Sequence, residues 1–162
     1  MPTRDVQEQF ARQAIELARE ARAEGNHPFG SLLVDGDGNV VLEAENTVVT
    51  GRDCTAHAEQ NLVRAAVSQF EPDQLATFTL YTSTEPCAMC AGAIFWSGIG
   101  RVVFALAESE LSALTGDDPE NPTLSLPCRE VFAAGQRPIE VLGPYALPEA
   151  LEVHRDFWKG AS

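Results

Sequence analysis

The chain has 162 residues, 44% hydrophobic and 22% charged, the proportions of one ordinary globular domain with a single filled core. Its 24 acidic residues against 11 basic ones leave a net charge of −13, and a surface of that sign repels polyphosphate. No apolar run approaches the ~18 residues of a membrane helix. The arginines are scattered, and Lys159 is the single lysine, so there is no phosphate track; both a membrane span and a nucleic-acid partner are disfavoured.

Residues 1–22 read as a charged amphipathic helix and not as a targeting leader, which makes a cytoplasmic protein the expectation. Val6, Phe10, Ala14, Ile15, Leu17 and Ala18 recur at helical spacing, predicting a helix over about 3–24 that stops near Gly25-Asn26. Ser31–Asp35 and Val40–Glu45 flank Gly36-Asp37-Gly38, the pattern of a β-hairpin. A second helix is predicted over His57–Phe70, a strand over Thr77–Thr82, a short apolar helix over Cys87–Trp96 and a strand over Arg101–Leu106. Leu114–Pro127 reads as a polar, proline-containing loop. Beyond it come a helix at Cys128–Ala134, a short strand at Ile139–Leu142 and a last helix at Pro148–Trp158, with proline in its first turn. There are no repeats and no linker. Helices and strands interleave, which argues for one domain over 1–162 built as a sheet covered by helices on both faces.

The chemistry lies in His57-Ala58-Glu59 and Pro86-Cys87-Ala88-Met89-Cys90. Cysteines three apart at a helix start share one face, and the positive end of the helix favours thiolate there. His57 gives a third ligand from the start of the neighbouring helix. Three soft ligands leave a zinc shell open at a fourth position, which is taken by water in catalytic sites. Glu59 then reads as a proton shuttle and not a ligand. On a regular helix residues two apart point about 200° apart, so whether His57 and Glu59 share one pocket stays open at this stage. A closed, purely structural zinc would need Cys54 or Cys128 as fourth ligand and would give Glu59 no task. Otherwise those two cysteines are small buried hydrophobes. A thioredoxin-like role is disfavoured, because that Cys-x-x-Cys follows the first strand of its fold and this one comes mid-chain.

His-x-Glu paired with Pro-Cys-x-x-Cys is the signature of zinc nucleobase and nucleoside deaminases. With Asn26-His27-Pro28-Phe29-Gly30, Asn46, Thr55 to Glu59 and Thr82 to Ile94, the chain resembles the cytidine-deaminase-like superfamily over about residues 5–118. The likeness is nearest to its guanine deaminase and tRNA adenosine deaminase branch. That resemblance implies a three-layer α/β/α sandwich around a five-stranded mixed sheet. It also implies one zinc ion per subunit with a bound water or hydroxide, and a homodimer. By it, Asn46 hydrogen-bonds the base and Phe29 stacks on it. Ala58 and Trp96 join the substrate site, Phe95-Trp96 resembling the aromatic pair of guanine deaminases. Asp117 or Asp118 is the candidate reader of purine substituents, although the chain departs from the branch after Leu114. The C-terminal helix within 145–162 is expected to cap the pocket or to swap onto a partner subunit, with Trp158 as the capping residue. His154 reads as a surface or interface residue.

The function these residues imply is hydrolytic release of ammonia from a small amino-substituted heterocycle. Guanine leads, with cytosine, nucleosides and aminotriazine-like bases behind it. A tRNA adenosine deaminase, disfavoured by the acidic charge, and a non-catalytic zinc-stabilised scaffold are the alternatives.

Overall fold

The computed structural model describes residues 2–158. Helix α1 (Arg4–Ala23) starts where the Thr3 hydroxyl accepts from the Val6 N–H and stops at Gly25, whose φ of 92° ends the helical path. A chain reversal leads into β1 (Gly30–Val34) and β2 (Val40–Glu45). The turn between them is held by the Asp35 carboxylate, which accepts from the N–H groups of Asp37 and Asn39 at 2.9 Å. Then follow α2 (Ala58–Gln69), α3 (Pro72–Leu75), β3 (Thr79–Thr84), α4 (Ala88–Ser97), β4 (Arg101–Leu106), α5 (Glu108–Thr115), α6 (Cys128–Ala133), β5 (Glu140–Leu142) and α7 (Pro148–Glu152).

The five strands form one mixed sheet in the order β2-β1-β3-β4-β5. β1 pairs antiparallel with β2 and β3, whereas β3–β4 and β4–β5 are parallel. Every residue of β1 and β3 is buried, as expected for strands covered on both faces. Side chains alternate between the two layers. Leu33, Leu80, Val102 and Phe104 pack under α2, α4 and α6, while Leu32, Val34, Tyr81 and Val103 pack under α1. α7 joins the α1 layer through Ala150 and Val153. The α1 layer sits so close that a Cβ on Gly30 would lie 2.5 Å from the Ala14 carbonyl and the Ala18 nitrogen, so only glycine fits there. The α/β/α sandwich with a five-stranded mixed sheet is the expected fold.

Four elements differ from expectation, the first being α3, a four-residue helix too short to show a period. α5 lies mostly in the stretch between the Arg101–Leu106 strand and the expected loop from Leu114, to which the sequence assigns no element, because its apolar side consists of little beyond Leu111 and Leu114 and its first turn is acidic. The third strand runs two residues later than its pattern suggested, over Thr79–Thr84, which brings its end to the metal-ligand loop. The last helix stops at Glu152 instead of Trp158: residues 153–157 are turns, and Asp156 has a φ of 59° that no helix continues through. The remainder of the expected C-terminal helix, 159–162, lies outside the described residues. Among those described, no helix is long and apolar enough to cross a membrane.

Candidate active site

The parallel strand β3 delivers its C-terminal end to one pole of the sheet, and the starts of α2 and α4 meet there. His57 and Cys87 are each the residue just before a helix, with extended backbone (ψ of 154° and 172°). This answers the question of facing left open above. His57 is not yet on the helix, so the helical angle does not separate it from Glu59. It also corrects the expectation that Cys87 lies within the helix; only Cys90 does.

His57 Nδ1 stands 3.5 Å from Cys90 Sγ and 3.7 Å from Cys87 Sγ. Zinc bonds of ~2.05 Å to nitrogen and ~2.3 Å to sulfur at tetrahedral angles require N···S separations of about 3.6 Å. Both N···S separations are therefore those of one tetrahedral ion, and the three ligand atoms all lie within 4.8 Å of one another. Among the described residues no other group of His, Cys, Asp and Glu side chains gathers in this way, and neither Cys54 nor Cys128 belongs to it. A closed four-protein-ligand site is thus not what these residues build. Donation from Cys90 holds the Cys87 thiol down to about 4, aided by His57, while the buried Cys90 that gives this bond is held above its ordinary value. A bound cation removes that asymmetry by deprotonating both.

Glu59 is 5% exposed. Its Oε1 accepts from the Thr82 hydroxyl; Ser31 Oγ, with one proton to give, lies 3.0 Å from Thr82 Oγ1 and 3.4 Å from Oε1. Burial raises the carboxyl above its ordinary value, with the Thr82 bond pulling the other way. A hydrogen bond to Cys87 raises His57.

His57, Glu59 and Cys87 face a cavity of about 230 Å³, below the ~300–1,000 Å³ usual for sites of drug-sized ligands. Phe29, as expected, lines it, and the segment from Glu120 to Leu124 forms the opposite wall. His27 also lines the cavity and pairs with Glu120 at 3.3 Å. Burial lowers the His27 pKa, and Glu120 opposes that shift. Thr84, Glu85 and Glu108 complete the floor beside Cys87. The Glu85 carboxylate accepts from the backbone N–H of Glu108 (3.1 Å) and of Cys128 (2.9 Å), tying the metal-ligand loop to α5 and α6. Burial, then the nearby Cys87, pushes Glu108 up to about 7.

The other expected substrate residues stand elsewhere. Asn46 is 1% exposed and its Oδ1 accepts from the Val48 N–H, a local turn behind the wall instead of part of it. Ala58 is fully buried between His57 and Glu59. Trp96 is 85% exposed on the outer side of α4, edge-on to Phe95, and is not among the lining residues. Asp117 is exposed, and Asp118 is buried with its Oδ1 accepting from the Glu120 N–H, so Asp118 shapes the turn that presents Glu120. Trp158 docks on its own chain one layer behind the cavity, 6.1 Å from Phe29 and 5.1 Å from His27. His154, expected at the surface or at an interface, is fully buried within its own chain: its Nδ1 accepts from Trp158 Nε1 at 3.1 Å, and Phe29 packs 5.2 Å away. Thr84, Glu108 and Glu120 escaped the sequence reading because no spacing marks them; the fold alone gathers them.

Residues 4–106 match the family described as "Cytidine and deoxycytidylate deaminase zinc-binding region". A probable cytosine deaminase of Schizosaccharomyces pombe is 47% identical over 151 residues, 93% of this chain and 91% of that protein. The guanine deaminase of Bacillus subtilis is 39% identical over 112 residues, 68% of this chain and 71% of the relative. Among solved structures, the guanine deaminase of Nitrosomonas europaea superimposes with a TM-score of 0.74 at 28% identity, covering 90% of this chain and 81% of that one.

Proposed function

Because the chain belongs to the cytidine and deoxycytidylate deaminase family, we propose that it is a zinc-dependent hydrolytic deaminase of a small free nucleobase. The observation that carries this is the tetrahedral spacing of His57, Cys87 and Cys90 with the buried Glu59 carboxylate beside them in a closed-in cavity. Zinc, when bound by these three residues, lowers the pKa of a coordinated water towards ~7 and so supplies a nucleophile at neutral pH. Glu59 takes the proton released from that water and gives it to the ring nitrogen next to the amino-bearing carbon. It next takes the remaining proton from the hydroxyl added to that carbon and hands it to the amine, which leaves as ammonia as the carbonyl forms. Thr82 and Ser31 hold Glu59 Oε1 in place for both transfers. Phe29 offers its ring to the planar base, backed by His154 and Trp158.

Cytosine moves ahead of guanine as the first substrate to try. The relative called a probable cytosine deaminase aligns over 93% of this chain, so its likeness extends through the segment that forms the far cavity wall. The guanine deaminase of Bacillus subtilis aligns over 68%. A homodimer is part of the same proposal and is checked by molar mass in solution.

The experiment is ammonia release by the zinc-loaded protein from cytosine, guanine, adenine, cytidine and an aminotriazine, with a chelator control. Chelator-sensitive release from a free base supports the reading. No release from any base, or inosine formation in a tRNA anticodon loop instead, overturns it.

A further inference from the structure

Thr84 ends β3 on the same face as Thr82, since alternate residues of a strand share a face. It stands about 6.6 Å beyond Thr82 along the strand. Thr82 commits its hydroxyl to Glu59. Thr84 lines the cavity and is only 2% exposed, and its buried hydroxyl has no hydrogen-bond partner among the described residues. Buried hydroxyls are rarely left so, because the lost hydration is not recovered. A ligand that completes the bond accounts for it.

On the adjacent parallel strand Thr84 pairs with Leu106, and two residues on comes Glu108, which lines the same cavity. The backbone of Glu108 is fixed by Glu85, the residue after Thr84, whose carboxylate accepts from the Glu108 N–H. The C-terminal ends of neighbouring parallel strands are where open α/β sheets take their ligands. Neither side chain belongs to the metal group, and neither is needed for the proton transfers of Glu59.

We propose that Thr84 and Glu108 are specificity residues that read the lactam edge of the base. Thr84 Oγ1 donates to the ring carbonyl, and the Glu108 carboxylate accepts from the adjacent ring N–H. This rests on the reading of the chain as a free-base deaminase and adds a rule to it. A base carrying a methyl group or a sugar on that nitrogen leaves the carboxylate unpaired against an apolar group and is rejected. The site therefore takes free bases and turns away forms substituted on the lactam nitrogen.

The test is steady-state kinetics at pH 8 on cytosine with 1-methylcytosine, and on guanine with 1-methylguanine. Thr84→Val, Thr84→Ser, Glu108→Gln and Glu108→Ala are compared with the wild type, zinc content being measured for each. The wild type is expected to prefer the free base by at least about tenfold in kcat/KM. Thr84→Val and Glu108→Gln raise KM for the free base about tenfold with kcat within about threefold, Thr84→Ser restores KM, and Glu108→Ala erases most of the discrimination. Wild-type KM and unchanged discrimination in zinc-loaded Glu108→Gln and Glu108→Ala overturn the proposal and leave the deaminase reading standing. A wild type that deaminates neither base takes both down.

Discussion

The Thr82 hydroxyl donates to Oε1 of Glu59, joining the middle of the buried sheet to the first turn of α2. A carboxylate in a buried, low-dielectric place is thereby held in one rotamer against the metal ligands. Glu59→Gln keeps the shape and loses the proton shuttle. Zinc content is expected to remain at one per chain while turnover falls by roughly 10²–10⁴-fold. Wild-type turnover in that zinc-loaded variant would remove Glu59 from the mechanism.

Thr82→Val removes the bond and leaves Glu59 in place. A hydroxyl donating to a carboxylate favours the ionised form, so its loss raises the Glu59 pKa further above the ordinary value. A base must be ionised to accept a proton, so the acidic limb of the kcat profile is expected to move to higher pH. Ser31 still reaches Oε1 at 3.4 Å, which limits the loss at the optimum to about tenfold. An unchanged acidic limb would mean that Thr82 does not tune this carboxyl.

Zinc stoichiometry separates the cysteines. Cys87→Ser and Cys90→Ser are expected to abolish tight zinc binding, whereas Cys54→Ser and Cys128→Ser keep one ion per chain by atomic absorption. Cys54 lies exposed at the cavity wall, and Cys128 is buried against the Glu85 carboxylate, which pushes its thiol, already raised by burial, up to about 12. Loss of zinc in the Cys54 variant would revive the closed structural site.

The metal group and Glu59 were legible in the sequence because their chemistry needs particular residue types at short spacings. His57-x-Glu59 and Cys87-x-x-Cys90 each sit at one helix start, and local structure suffices to bring each set together. The layers were legible for a related reason: α1 repeats its apolar residues at helical spacing, and β1, β3 and β4 are short runs of apolar and β-forming residues, as fully covered strands are. What surrounds the substrate was not legible. Glu108 and Glu120 are ordinary acids at the head of a weakly patterned helix and in a proline-containing loop, and only β4 and the turn at Asp118 aim them inward. Trp96 illustrates the opposite error. An aromatic in an apolar helix looks like a pocket residue, yet α4 turns it outward and uses Phe95, stacked under Arg137 at 5.3 Å, for packing.

Glu85 is a structural clip, not a chemical group. Its two backbone acceptances join the metal-ligand loop to α5 and α6, and each hydrogen bond to a charged group is worth about 1.5–3 kcal/mol. Glu85→Ala leaves the Glu108 and Cys128 N–H groups unpaired and is expected to lower unfolding free energy by about 3 kcal/mol or more in urea titration. Zinc binding survives at low temperature, since all three ligands remain. A loss below about 1 kcal/mol would show that solvent replaces the clip.

His154 makes stability depend on acidity. It is fully buried, its Nδ1 accepts from Trp158, and its Nε2 has no partner among the described residues. Burial, reinforced by Arg22, holds its pKa down at about 3, against an ordinary value of 6.5. Between those values the unfolded chain binds a proton that the folded one refuses. The stabilisation is therefore complete above about pH 6.5 and is lost as pH falls toward 3, at up to about 1.4 kcal/mol per pH unit. His154→Gln cannot take up that proton. The difference in urea midpoint between wild type and variant is expected to shrink or reverse from pH 7.5 to pH 5. Both proteins are compared with zinc removed, so that ligand protonation at His57 does not enter. Parallel pH dependence in the two would mean that His154 stays accessible to protons in the folded chain.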